Sequence, residues 1–193
     1  DGLGPPAPRD RVLGLLRRDA NLAARHVGSD RRRRGGWGSL RRGPLEQGSE
    51  GEDTWSPYDI VGHLVHGERA DWIPRLRIIL EHGETKAFDP FDRFAQFEES
   101  RGKSLVDLLA EFEGLRAENL DIVEGLELTP ADLSRTGLHP DLGVVSLGEL
   151  LSTWMVHDLG HIAQIARVMA KQLDAEVGPW RVYLPILAPR LLS

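Results

Sequence analysis

Apolar residues recur at helical spacing in four long stretches of the chain, and no stretch alternates as a half-buried strand would. The first predicted helix covers residues 8–27. Asp10 is its N-cap, and Val12, Leu15, Leu16, Leu22, Ala23 and Val27 share one face. Residues 30–51 lack periodicity and carry Arg31, Arg32, Arg33 and Arg34 in a row among scattered glycines, so they read as a loop. The second helix is expected to open at Ser56-Pro57-Tyr58-Asp59, an N-cap serine followed by a proline and by an acid that can return a hydrogen bond to the cap. Ile60, Val61, Leu64 and Val65 continue its apolar face. Pro74 should interrupt it, because proline lacks an N–H and clashes one turn back. Leu76, Ile79 and Leu80 resume the pattern up to His82-Gly83.

Residues 84–102 form a long connection with Phe88, Phe91, Phe94 and Phe97, which suits a crossover better than a tight hairpin. The third helix should start at Ser104, with Asp107 as box partner. Its stripe is Leu105, Leu108, Leu109, Phe112, Leu115, Ile122, Val123 and Leu126, and its acids are expected to face solvent. Residues 127–145 read as a loop. The fourth helix should start at Ser146 with Glu149 and carry Leu147, Leu150, Leu151, Trp154, Ile162, Ile165 and Val168 to a stop near Leu173. Trp180, Tyr183, Leu184 and Leu187 are apolar enough to pack back on the helices. The chain is therefore expected to be all-α.

Composition narrows the chemistry. The 193 residues suit one domain. No apolar run approaches the roughly 18 residues that span a bilayer, no signal-peptide pattern opens the chain, and a cytoplasmic protein is expected. There are no cysteines, which excludes disulfide scaffolds, zinc ribbons and a cysteine nucleophile. Any metal must be held by His, Asp or Glu, and any thiol must be borrowed. The net charge of −6 hides a basic head, +6 over residues 1–47, on an acidic body, −12 over residues 48–193. Arg31 to Arg34, Arg41 and Arg42 could neutralise phosphates. With Trp37 alone available for stacking, they read instead as a solvated basic loop, and a nucleic-acid partner is not expected.

Three of seven histidines fall where chemistry is expected. His157 and His161 are four apart, one turn above the other, on the apolar face of the last helix. Two imidazoles turned into a core need partners, and a shared divalent ion supplies them, since His-x-x-x-His is a helix chelate. His63 lies on the inward edge of the second helix. Three imidazoles from two helices would make a tripod with open coordination positions, as catalytic sites have. The bland alternative is a set of satisfied core histidines. His66, one turn beyond His63, is a candidate fourth ligand or supporting group. His26, His82 and His139 read as surface residues. The Asp of His157-Asp158-Leu159-Gly160-His161 is too short for the general base of the H-E-x-x-H motif. No Glu lies three before a His, against a di-iron bundle. Asp158 or Gln164 could orient the imidazoles from behind, and Glu68 reads as a solvated acid.

Trp55-Ser56-Pro57-Tyr58-Asp59-Ile60-Val61-Gly62-His63-Leu64 resembles the W-s-x-x-e-v-x-x-H-L signature of the DinB/YfiT-like superfamily (the damage-inducible DinB of bacilli, not the translesion polymerase). His157-Asp158-Leu159-Gly160-His161-Ile162-Ala163-Gln164-Ile165 resembles its H-x-x-x-H-x-x-Q-I signature. The resemblance covers roughly residues 53–187. It implies a four-helix bundle with a long crossover, and one divalent metal, commonly zinc or nickel, on His63, His157 and His161. Relatives include thiol S-transferases using bacillithiol and mycothiol-dependent isomerases. Many members are described only as metal-dependent hydrolases, and dimers are frequent. Residues 1–52 would then hold the first helix and the Arg/Gly-rich loop, and residues 53–193 the DinB-like core, packed together as one domain. The expected function is a metal-dependent enzyme of thiol S-transferase or hydrolase type. It would act on a small molecule, with a low-molecular-weight thiol as a candidate co-substrate. The alternative is a non-catalytic metal-binding stress-response protein.

Overall fold

The computed structural model describes residues 45–51 and 54–189. The first predicted helix and the arginines of the basic loop lie outside the described residues. Among the described residues there are six α-helices: α1 (Pro57–Ala70), α2 (Trp72–His82), α3 (Ala95–Glu99), α4 (Leu105–Gly125), α5 (Pro130–Leu133) and α6 (Leu147–Lys171). The architecture is all-α, of the four-helix-bundle type, with α1–α2, α4 and α6 as its long described elements. Among the described residues, no helix is long and apolar enough to cross a membrane.

Three capping boxes set where these long elements begin. Ser56 accepts from the Asp59 N–H while the Asp59 carboxylate accepts from the Ser56 N–H. Ser104 with Asp107 and Ser146 with Glu149 repeat the arrangement at α4 and α6. Each box satisfies two otherwise orphaned donors of the first turn. Proline 74 breaks the second predicted helix where expected. It has no N–H to offer the Ala70 carbonyl, so α1 ends at Ala70 and α2 restarts at Trp72 after Asp71. The Asp71 carboxylate then pairs with Arg75 across one turn at 2.6 Å. Gly83, at φ 57, ends α2 in a conformation that favours glycine.

The core is continuous from α2 to α6. Trp72, Ile73, Leu76, Ile79, Leu120, Val123, Leu147, Leu151 and Trp154 form its main body, with Phe88 added from the crossover. Ile60, Val61, Leu108 and Ile165 form a second cluster, and Leu64, Val65 and Phe112 a third. Two features of the apolar pattern are corrected. On α4 the inward face carries Arg116, Asn119 and Leu120, whereas Leu126 is exposed. Of the four tail residues expected to pack back, Leu187 is buried and Leu184 half-buried, while Trp180 and Tyr183 stand in solvent. Lys171 and Arg167 hold the tail by donating to the carbonyls of Leu187 and Ile186.

The loop expected over 127–145 is more ordered than its sequence suggests. Thr129 caps the short α5 with Asp132. A hairpin follows, β1 (Thr136–His139) antiparallel to β2 (Gly143–Ser146), with Gly137 opposite Val145. Four-residue strands are too short to show alternation, which is why none was legible. Gly137 is needed for packing, since a Cβ there would lie 2.7 Å from Ile79 and 3.1 Å from Phe88. The imidazole of His139 accepts from the Asp141 and Leu142 N–H groups and so braces the turn.

Glycines at two helical positions separate packing from propensity. A Cβ at Gly62 would lie 2.5 Å from the Ser100 hydroxyl and 3.2 Å from the Gln96 amide oxygen, so α1 and α3 touch there. Gly114, inside α4, faces open space. Gly62→Val should cost about 1–3 kcal/mol by overpacking, and Gly114→Ala should add about 0.5–1 kcal/mol. Chemical denaturation of both variants checks the opposite signs.

Candidate metal centre

The kinked α1–α2 pair and α6 bring three histidines together. His63 projects from α1, and His157 and His161 from consecutive turns of α6. The Nε2 atoms of His63 and His157 are 3.1 Å apart, as are those of His161 and His157. One nitrogen from each ring lies within 4.8 Å of the others. His63 is buried, and His157 and His161 are half-buried. The sequence-predicted trio is thus one cluster. His66 is outside it: its Nδ1 lies 3.0 Å from Glu99 Oε1, and Glu99 is also held by Arg69 at 2.9 Å. His66 is therefore not a fourth member of the cluster. His82 is on the surface, and His139 serves the hairpin turn.

The second nitrogens fix how the rings present themselves. His161 Nδ1 lies 3.0 Å from Gln164 Oε1, and His157 Nδ1 lies 3.4 Å from Asp158 Oδ1. Both oxygens can accept from Nδ1–H, the tautomer that turns a lone pair to Nε2. The Nε2 atoms converge, 3.1 Å apart across the His63–His157 and His157–His161 contacts. The Nδ1 of His63 is buried and has no partner among the described residues. Burial and then the neighbouring imidazoles push the His63 pKa down to about 3. Burial and then His157 lower that of His161 to about 4, against the opposing pull of Gln164 and Asp158. At neutral pH these rings are therefore uncharged, the form that ligates metals.

Aromatic rings wall the cluster. Trp55 lies 4.9 Å from His63 and stacks on His161 at 6.5 Å. Phe91 meets His63 edge-on at 5.9 Å, and Trp72 meets His157 edge-on at 5.2 Å. The break at Pro74 is what delivers Trp72 to this position.

Behind the histidines lies a charged network that sequence reasoning missed. Arg116 of α4 donates to Glu68 Oε1 of α1 at 2.7 Å and to Asp158 Oδ2 of α6 at 2.6 Å, with side chains only 2%, 1% and 4% exposed respectively. Its guanidinium lies 4.9 Å from the ring centroids of both Phe112 and Trp154. The Trp154 indole N–H donates to Glu68 Oε1 at 3.0 Å, and the Asn119 amide to Glu68 Oε2 and to the Glu68 carbonyl. Glu68 is therefore a core residue and not the solvated acid expected. A signal existed: Glu68 lies four after Leu64, and Arg116 four after Phe112, each on the apolar face of its helix. Asp158, tied to Arg116, is also fixed away from the general-base role weighed for it.

The pattern describing the DinB superfamily matches residues 9–165. The chain belongs to the DinB superfamily. No curated protein matches it. Among solved structures it is similar to YfiT from Bacillus subtilis, described as a probable metal-dependent hydrolase with an unusual four-helix bundle topology. The TM-score is 0.67 at 19% identity, covering 89% of this chain and 92% of that one. A likeness at this identity establishes the DinB-type fold.

Two predictions follow from the charges. Between pH 6.5, the ordinary histidine value, and about 4, the unfolded chain binds protons that folded His63 and His161 refuse. Stability of the metal-free protein is therefore full above pH 6.5 and falls as the pH drops towards 4, which denaturation midpoints across that window would record. Arg116→Met leaves two buried carboxylates without their cation and should cost about 3–5 kcal/mol. A loss under about 1 kcal/mol by urea denaturation would show that the network is not the buried pair described.

Proposed function

We propose that His63, His157 and His161 hold one divalent transition-metal ion and that the protein is a metal-dependent enzyme of hydrolase type acting on a small molecule. The observation that carries this is the convergence of three imidazole Nε2 atoms, 3.1 Å apart across the His63–His157 and His157–His161 contacts, with Nδ1 of His157 and of His161 facing Asp158 and Gln164. Nitrogens that share a tetrahedral ion at about 2.0–2.1 Å lie about 3.3 Å from one another, close to the two 3.1 Å separations, so the donors fit the group. Three imidazoles suit zinc and nickel alike. The description of YfiT as a probable metal-dependent hydrolase supports the same reading.

When bound, a divalent ion in an open three-histidine site supplies Lewis acidity, either to activate water or to stabilise a thiolate. The chain's own residues do the rest. Asp158 and Gln164 hold the imidazoles in the ligating tautomer, and Trp55, Phe91 and Trp72 exclude bulk water around the donors. Three protein donors leave positions for substrate, which favours an enzyme over a closed structural site. The finer reading, transfer of a borrowed low-molecular-weight thiol, uses the same site. The chain has no cysteine to compete for the ion, which is compatible with both chemistries.

Elemental analysis of the purified protein tests the assignment. About one equivalent of zinc or nickel is expected. His157→Ala should remove it, and Gln164→Ala, which spares all three ligands, should weaken affinity by about tenfold. No uptake by the wild-type protein on titration would overturn the proposal. A panel of esters and amides, set beside consumption of glutathione, bacillithiol and mycothiol, would then separate hydrolysis from thiol transfer.

A further inference from the structure

A strip of aromatic rings runs from the tripod to the surface. Trp55 sits 4.9 Å from His63. Phe97 meets Trp55 edge-on at 6.3 Å, and Phe94 stacks on Phe97 at 6.4 Å with an interplanar angle of 19°. The last two rings are not core: Phe97 is 42% exposed and Phe94 60%. Exposed rings in contact with one another, leading to a polar cluster, mark a binding surface more than scattered surface residues do. At the outer end, the Arg93 guanidinium lies 5.4 Å from the Phe94 centroid. Neighbouring acids are engaged elsewhere, Asp92 with the Phe94 N–H and Asp89 with Lys86. Arg93 has no carboxylate partner among the described residues.

We propose that Trp55, Phe97, Phe94 and Arg93 form the substrate-binding strip of this site, and that its ligand is an organic acid with an aromatic body. The body lies along the rings, Arg93 pairs with the carboxylate, and the reacting group extends past Trp55 to the histidines. Offset stacking and edge contacts recognise a flat body. A guanidinium already resting on a ring recognises the acid through charge-assisted hydrogen bonds. The strip thus selects for two features held apart on one molecule. This inference names the substrate class of the function proposed above and rests on that reading.

The test uses the full chain without metal, so that a carboxylate cannot bind an ion instead of Arg93. NMR titration with cinnamate, cinnamyl alcohol and acetate separates body from charge. Cinnamate should bind at the strip and acetate should not. Arg93→Gln should weaken cinnamate by about fivefold and leave cinnamyl alcohol unchanged, whereas Phe97→Ala should weaken both. All these residues are at the surface, so the variants should fold as the wild type does. Acetate binding as well as cinnamate, or Arg93→Gln leaving cinnamate unaffected, would overturn the proposal. Zinc titration of the same wild-type sample keeps the two readings apart. Zinc uptake without cinnamate binding refutes the strip alone, and cinnamate binding without zinc uptake refutes the tripod.

Discussion

A guanidinium shut away from water must be surrounded by acceptors, and Arg116 obtains them from two other helices. Glu68 comes from α1, Asp158 from α6, and the rings of Phe112 and Trp154 close the remaining faces. Sliding any one helix would strand a charge in the interior, at a cost comparable to much of a domain's net stability. The network therefore fixes α1, α4 and α6 relative to one another. The histidines inherit that registration: His63 lies five residues before Glu68 on α1, and His157 adjoins Asp158 on α6. The 3.1 Å separations of the Nε2 atoms follow from a charge pairing one layer deeper in the bundle.

The other devices act on the same helices from their ends. The capping boxes at Ser56 and Ser146 set where α1 and α6 begin, and hence which face each histidine occupies. The break at Pro74 turns the chain so that Trp72 stacks on Trp154 and touches His157. Gly62, one residue before His63, lets α3 approach α1 closely enough for Phe91 to lie beside the cluster and Phe97 against Trp55. Polarity changes outward in order, from ion pairs through neutral imidazoles to aromatic rings and one surface cation.

Local features were legible in the sequence because their signals are local. The caps, the proline break, the start of each long described helix, and the i,i+4 pair His157–His161 all depend on neighbours within a turn. The placement of His63 depended on one helical face. Glu68 and Arg116 were missed because either residue alone is ordinarily exposed, and their pairing spans 48 positions. Each did interrupt an apolar stripe, and two opposite charges interrupting two stripes is a readable sign of a buried pair. The hairpin was missed because its strands are held by contacts with Ile79, Phe88 and the Ala87 backbone rather than by their own pattern. The tail was over-read, since apolar character alone does not create a surface to cover it.

Stability alone does not account for the charged centre. Apolar residues of the same volume often hold helices as well as, or better than, a buried ion pair with its desolvation cost. An apolar set would nevertheless lack one thing this network provides, a fixed acceptor behind His157. Asp158 uses one oxygen to meet Arg116 and has the other left for the imidazole. A carboxylate free to rotate would offer that oxygen only part of the time, and the ring it faces could reverse its tautomer. Held by Arg116, it favours the tautomer with the proton on Nδ1 and the lone pair on Nε2. The ion pair is therefore better understood as the support of a ligand's orientation than as a source of folding energy.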